Sequence, residues 1–255
     1  MSGKQSRRQR QTLAAKKPPA VKGPAPRRKA SPKILLAVLA VLLLVGAAVG
    51  IASALSGGSS GSSSPQPVAG TTRVQSLFRG IEQHGNVLGR PSAPVTLVEY
   101  ADLQCPFCRD FGLQAEPSLI KQYVRSGRVK VVFRPLAFLG PDSVRGRNAV
   151  IAAGLQNKLF DVVQLLYTNQ GAENTGWLDD KIVEAAARSV PSIEVSRLLA
   201  DKDSAAVARK AQVFDSQATA DGVHSTPTVL VGKTGGTLRQ VDEAQLSSAL
   251  ASLAS

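Results

Sequence analysis

The chain carries two cysteines in 255 residues, and they stand three apart, as Cys105-Pro106-Phe107-Cys108. A bridge across so short a loop stabilises a fold little, so a structural staple does not account for the pair. A thiol at the start of a helix faces unpaired backbone N–H groups and the positive end of the helix dipole, and both favour its anion. The spacing therefore predicts that Cys105 is the attacking thiolate that forms mixed disulfides. Cys108, one turn later and deeper, would resolve them. Zinc binding is the other chemistry two thiols could support. It needs four ligands, and only His84 and His224 could complete the set. Neither histidine stands in an H-x-x-x-H or second C-x-x-C spacing, so the expectation is redox chemistry with no metal and no bound cofactor beyond the Cys105–Cys108 disulfide itself.

These residues need a strand to deliver the first cysteine and a helix to begin at it. Pro94-Val-Thr-Leu-Val-Glu-Tyr100 has the run of a buried strand and leads directly into the cysteines. From Phe107 to Ser126 apolar residues recur at helical spacing (Phe111, Leu119, Tyr123), and Gly127 closes the segment. Val129-Lys-Val-Val-Phe133 predicts a second strand, stopped by Pro135. Residues 142–200 predict only helices, over 145–155, 159–169, 179–189 and 192–199, and a further helix covers 205–220. Thr228–Val231 predicts a strand, Gly235-Gly236 a hairpin turn, 237–241 its return strand and 242–253 a closing helix. Strands alternating with helices imply a sheet covered on both faces.

At this point the chain resembles the DsbA-like branch of the thioredoxin superfamily. Val-Thr-Leu-Val-Glu-Tyr-Ala-Asp-Leu-Gln-Cys-Pro-Phe-Cys is similar to that branch's active-site segment, and Val-Val-Phe-Arg-Pro-Leu to the strand that follows the active-site helix. Residues 142–200 stand where the branch inserts a helical domain, and His224-Ser-Thr-Pro227-Thr-Val-Leu-Val resembles its cis-proline loop. The resemblance covers 85–255. It implies an α/β thioredoxin fold, a mixed sheet flanked by helices with an all-helical subdomain inserted at about 141–200. It implies a cis Thr226–Pro227 bond, with Thr226 presenting its backbone to an extended substrate beside Cys105, and Pro106 and Phe107 bordering the same surface. It also implies that Glu99, six residues before Cys105, is the buried carboxylate that relays a proton to or from Cys108. Strand periodicity alone leaves open a solvent-facing Glu99. Phe107 stands where the branch commonly has His, which removes one stabiliser of the thiolate. Thr226 occurs in oxidising and isomerase-like relatives alike, so the direction of electron flow stays open.

The formal net charge of +13 suggests nucleic acid until its distribution is examined. Residues 1–33 hold eleven Lys and Arg and no acidic residue, leaving twenty basic against eighteen acidic residues beyond them. The basicity belongs to a disordered tail placed directly before an apolar run, so anionic inner-leaflet lipid is the expected contact. Ile34 to Leu55 contains no charged residue and would reach about 33 Å as a helix, enough to cross a bilayer. Two readings compete: a signal peptide cut after Ala54, or an uncleaved anchor. The length of the run and of the tail favours one transmembrane helix, with the N-terminus cytoplasmic and the rest extracytoplasmic. Residues 56–70 read as a flexible Gly/Ser/Pro linker, and 71–255 as one domain. The expected function is an extracytoplasmic thiol:disulfide oxidoreductase that oxidises cysteine pairs of exported proteins, reoxidised by a quinone-linked membrane partner. A reductase or isomerase of the same fold, or a tethered peptide-binding module, are the alternatives.

Overall fold

The computed structural model describes residues 68–254. The basic tail, the apolar run 34–55 expected to span the membrane and most of the 56–70 linker lie outside the described residues. Among the described residues no helix is long and apolar enough to cross a membrane.

Helix α1 (Thr71–Phe78) leads to a two-residue hairpin, β1 (Gln83–His84) and β2 (Val87–Leu88). Strand β3 (Val95–Asp102) then runs into the cysteine-bearing helix α2. That helix is α-helical over Pro106–Asp110 and Glu116–Leu119 and π-helical over Phe111–Ala115 and Ile120–Val124. Strand β4 (Val129–Leu136) precedes four helices, α3 (Pro141–Gly154), α4 (Leu159–Thr168), α5 (Asp180–Arg188) and α6 (Val195–Asp201). Helix α7 (Ala205–Ala220), strands β5 (Thr228–Lys233) and β6 (Arg239–Gln240) and helix α8 (Glu243–Leu253) complete the order.

The sheet order is β1-β2-β4-β3-β5-β6. Only the β3–β4 pair is parallel, registered from Val95 opposite Val129 to Asp102 opposite Leu136, and the other pairs are antiparallel. All eight residues of β3 are buried, as a central strand covered on both faces requires. Alternation sorts its side chains. Val95, Leu97 and Ala101 join the core beneath α2, α8 and the inserted helices, whereas Val98 and Tyr100 pack with Leu230 and with Ala218 and Val223 at the end of α7. The expected mixed sheet with helices on both faces and a helical insertion is what the chain forms.

Several boundaries differ from expectation. Helix α1 and the β1–β2 hairpin were not anticipated: both are too short for periodicity to reveal, and tertiary contacts hold them. Phe78 of α1 meets Phe160 of α4 at 6.3 Å between ring centroids, and Phe160 meets Phe133 of β4 at 6.2 Å. The last linker residues belong to the domain. Ala69 N–H donates to Asn169 Oδ1 (3.1 Å), and Asn169 Nδ2 donates back to the Ala69 carbonyl (3.0 Å). Helix α3 starts at Pro141, four residues before the expected start, with proline in the first turn where its missing N–H costs nothing. The return strand expected over 237–241 shrinks to Arg239–Gln240, both exposed at the sheet edge.

Phe160 joins helix α1, the sheet and the insertion. Phe160→Ala is expected to lower the unfolding free energy by about 3–5 kcal/mol. Denaturant titration of the full-length chain in mild detergent, followed by the fluorescence of Trp177, measures this. A loss below about 1 kcal/mol would show that the three parts hold together without it.

Candidate active site

Strand β3 ends at Asp102, and three residues later Cys105 caps α2. The Cys105 backbone is extended (φ −67°, ψ 120°), Pro106 occupies the first helical turn, and the Cys108 N–H donates to Cys105 Sγ at 3.4 Å. Both cysteines are free thiols; Cys105 is 5% exposed and Cys108 fully buried. Pro106 and Phe107 are exposed, Phe107 at 71%. Across from them the Thr226–Pro227 bond is cis, and Cys105 Sγ donates to the Thr226 carbonyl at 3.3 Å. Thr226 and Pro227 are half-buried at the start of β5. The structure thus brings together Cys105, Cys108, Pro106, Phe107, Thr226 and Pro227. His224 is exposed on the adjoining loop, and His84 is an exposed partner of Glu82 in β1 (3.3 Å). Among the described residues no group of side chains suits a metal ion.

The two thiols are shifted in opposite directions. Cys105 is lowered to about 6, first by the hydrogen bond from the Cys108 thiol, against burial, and then by the Cys108 N–H, Thr226 and the Phe107 N–H. Cys108 is pushed far up, first by burial and then by its hydrogen bond and charge interaction with Cys105. A sulfur that is anionic near neutral pH therefore sits at the surface-facing end of the pair, above a neutral, enclosed one.

Glu99 resolves to the buried alternative. It is 1% exposed on the α2-facing side of β3, neither carboxylate oxygen has a hydrogen-bond partner, and burial followed by the charge of Glu116 raises its pKa well above the carboxylate range.

Sequence reasoning missed the residues that hold the cysteine loop. Asp102, fully buried, accepts four hydrogen bonds. Oδ1 takes those of the Gln104 N–H (2.9 Å) and Ser143 Oγ (2.6 Å), and Oδ2 those of the Phe138 N–H (2.7 Å) and Leu139 N–H (3.1 Å). Gln104 Nε2 reaches the Leu139 carbonyl and Ser143 Oγ, and its Oε1 accepts from the Asn174 N–H (2.7 Å). Gln170 Nε2, beyond α4, donates to the carbonyls of Leu103 (2.9 Å) and Cys105 (3.2 Å). A polar residue inside an otherwise apolar strand-to-cysteine run (Asp102, Gln104) was the available signal. Gln170 carried none, because only the tertiary fold brings it there.

The Thioredoxin family profile matches residues 82–251, about two thirds of the chain. The chain belongs to the thioredoxin family. "Probable disulfide bond formation protein D" of Bacillus cereus is 29% identical over 147 residues, which cover 56% of this chain and 68% of the relative. "Disulfide bond formation protein D" of Bacillus subtilis is 27% identical over 150 residues, covering 57% and 66%. The crystal structure of oxidised BdbD from Bacillus subtilis superposes with a TM-score of 0.60 at 22% identity, covering 68% of this chain and 97% of that one, a likeness of fold. The chain is a member of the thioredoxin family and a thiol:disulfide oxidoreductase.

In this family member the Cys105 thiol should ionise well below an ordinary thiol. The alkylation rate of the reduced protein with iodoacetamide should rise with pH through an inflection near 6, and Cys108→Ala, which removes the largest stabiliser of the anion, should move that inflection upward. A lowered folded-state pKa means that the unfolded chain holds the Cys105 proton between about 6 and 9 where the folded chain does not, so the stability difference between the reduced protein and Cys105→Ser should grow in favour of the wild type as pH rises through that window. An inflection near the ordinary thiol value of about 8.5 would refute the assignment.

Proposed function

We propose that this oxidoreductase works as an oxidant, donating the Cys105–Cys108 disulfide to cysteine pairs of exported proteins. The observation that carries the reading is the stabilised Cys105 anion, held by the Cys108 thiol and N–H and by the loop at Thr226. A disulfide contains no thiolate, so whatever stabilises the Cys105 thiolate favours the reduced form and makes the oxidised form a stronger acceptor of electrons. A substrate thiolate attacks Cys105 Sγ, the Cys105–Cys108 bond breaks, and Cys108 leaves. A second substrate thiolate then attacks the substrate's own sulfur in the mixed disulfide, and Cys105 leaves as a thiolate without needing a proton. Exposed Phe107 and the half-buried backbone at Thr226 and Pro227 form the surface that receives an extended, unfolded substrate segment. The Bacillus relatives, named disulfide bond formation proteins, support the same direction.

The run 34–55 anchors the chain in the cytoplasmic membrane with the described domain outside, and the Gly/Ser/Pro linker keeps that domain close to a quinone-linked membrane thiol oxidase that reoxidises it. Cys105 and Cys108 are the catalytic residues of this scheme, with no cofactor beyond their disulfide.

Equilibrating the full-length chain, in mild detergent, against glutathione and dithiothreitol buffers should give a reduction potential well above the value of about −270 mV for thioredoxin. Cys108→Ser should trap a mixed disulfide when its Cys105 thiolate attacks a disulfide-containing substrate, because no second thiol remains to resolve it, and Cys105→Ser should abolish exchange. A potential at or below thioredoxin's would replace the oxidase with a reductase.

A further inference from the structure

Cys108 leaves the disulfide into a fully buried site that does not favour its anion, so a proton must reach it there. Glu99 lies on the right face of β3, yet a lone buried carboxyl is only one part of what the structure places beneath the cysteines. Glu116 is the second. It is 4% exposed and stands eight residues after Cys108 on α2.

In a regular α-helix eight residues would turn Glu116 about 80° away from Cys108. The π turn over Phe111–Ala115, closed by the Glu116 N–H donating to the Phe111 carbonyl, inserts one residue into the helix. That returns Glu116 to within about 20° of the Cys108 face, about two turns below it, with its side chain leaning back toward the helix start. Gly112 lies between them on this face, and a Cβ there would stand 3.0 Å from the Tyr167 ring, so glycine admits the neighbouring helix α4 at close range.

Gln164 of α4 fixes the orientation of Glu116. Its Nε2 donates to the Gly112 carbonyl (2.6 Å) and to Glu116 Oε2 (2.8 Å), and its Oε1 accepts from Arg73 of α1 (3.3 Å). With its amide so committed, Gln164 acts on Glu116 only as a donor, which leaves Oε1 to carry a proton. Glu116 Oε1 and both Glu99 oxygens are buried without a hydrogen-bond partner. Among the described residues no basic side chain forms an ion pair with either carboxylate. The ionisable groups around the pair are Cys108, Asp102 of β3 and Tyr167 of α4, all of which interact electrostatically with Tyr167 or are Tyr167 itself. Two carboxylates buried without a counter-ion cannot both stay ionised at low cost.

We propose that Glu116 is the proton-sharing partner of Glu99, and that this buried carboxyl pair hands its proton to Cys108 Sγ when the disulfide opens and takes it back when the disulfide closes. The proposal rests on the oxidoreductase reading above. The substrate sulfur bonds to Cys105 Sγ, the Cys105–Cys108 bond breaks with its electron pair on Cys108 Sγ, the carboxyl proton moves to that sulfur, and solvent restores the proton to the pair. Glu116 acts through Glu99 and is a positioning residue: its charge keeps the proton on Glu99. Burial raises Glu116 itself to about 7, against the Gln164 hydrogen bond, so its charge is present above that pH.

The test follows the infrared C=O stretch of protonated carboxyls in the oxidised full-length chain, above pH 6, where exposed carboxylates are ionised. In the wild type a buried carboxyl band should persist above pH 7 and change when dithiothreitol reduces the cysteines. Glu116→Gln should make Glu99 lose its proton at a pH lower by about one unit or more, whereas Glu99→Gln should leave the Glu116 titration nearly in place, because Glu116 ionises first, while Glu99 is still neutral. Glu116→Asp should restore the wild-type behaviour in part. Gln164→Leu leaves both carboxyls in place and should move the Glu116 titration up, which guards against a Glu116 variant that fails to fold. Unchanged Glu99 titration in folded Glu116→Gln would overturn the sharing. A shifted Glu99 titration with no change of the band on reduction would overturn the delivery to Cys108. Neither result touches the oxidoreductase reading, which instead fails if wild-type Cys105–Cys108 does not exchange with thiols.

Discussion

The carboxylate of Asp102 accepts hydrogen bonds from the cysteine loop, from α3 and from the loop that follows β4, and the geometry of the site depends on it. It is the last residue of the central strand, so its position is set by the parallel register that places it opposite Leu136. From there it ties the Gln104 N–H to Ser143 of the inserted helices and to the Phe138 and Leu139 N–H groups. A buried carboxylate without such donors would be expensive; with four it organises three chain segments around one point. Gln104 and Gln170 extend the same function, pinning backbone groups of residues 103, 105 and 174. The helical insertion is therefore part of the scaffold of the cysteine loop as well as its neighbour.

On that scaffold, one helical turn separates two thiols with opposite electrostatics. Cys105 sits where hydrogen-bond donors converge at a helix start, and its anion is favoured. Cys108 is enclosed by the core, where burial disfavours any charge. An exchange reaction needs this asymmetry, with one sulfur able to attack and leave as an anion and the other held neutral. The DsbA-like branch that the active-site segment resembles commonly has a histidine between the cysteines. Here Phe107 replaces it and is exposed, so the stabilisation of the thiolate comes from the backbone, Cys108 and the Thr226 loop.

The π turns in α2 are the local departure from regularity that this arrangement uses. Such turns are uncommon and often lie at functional sites. In this helix one of them rotates Glu116 back under Cys108, and close contact of Gly112 with Tyr167 brings α4 and its Gln164 alongside. Acidic residues so enclosed are unfavourable to folding, and Glu99 and Glu116 carry three unpartnered oxygens between them. A buried cluster of this kind is where a chain gives up stability for chemistry.

The sequence by itself determined the chemistry and the order of elements. Two cysteines at C-x-x-C spacing after a hydrophobic run and before a helical one admit few readings, and the Thr-Pro loop before a second apolar run places its partner. The strands β3, β4 and β5 and the long helices were legible because their apolar periodicity extends over enough residues to exclude the alternatives. Helix α1 and the β1–β2 hairpin were not, because segments of two to eight residues gain their stability from tertiary contacts such as Phe78 on Phe160. Only the tertiary structure decided that Glu99 faces inward, since a strand pattern buried on both faces does not distinguish its sides. It alone brought Glu116, Gln164 and Gln170 to the cysteines. Their roles arise from helical phase and from contacts between residues about fifty to sixty-five positions apart, and the linear pattern of residue types records neither.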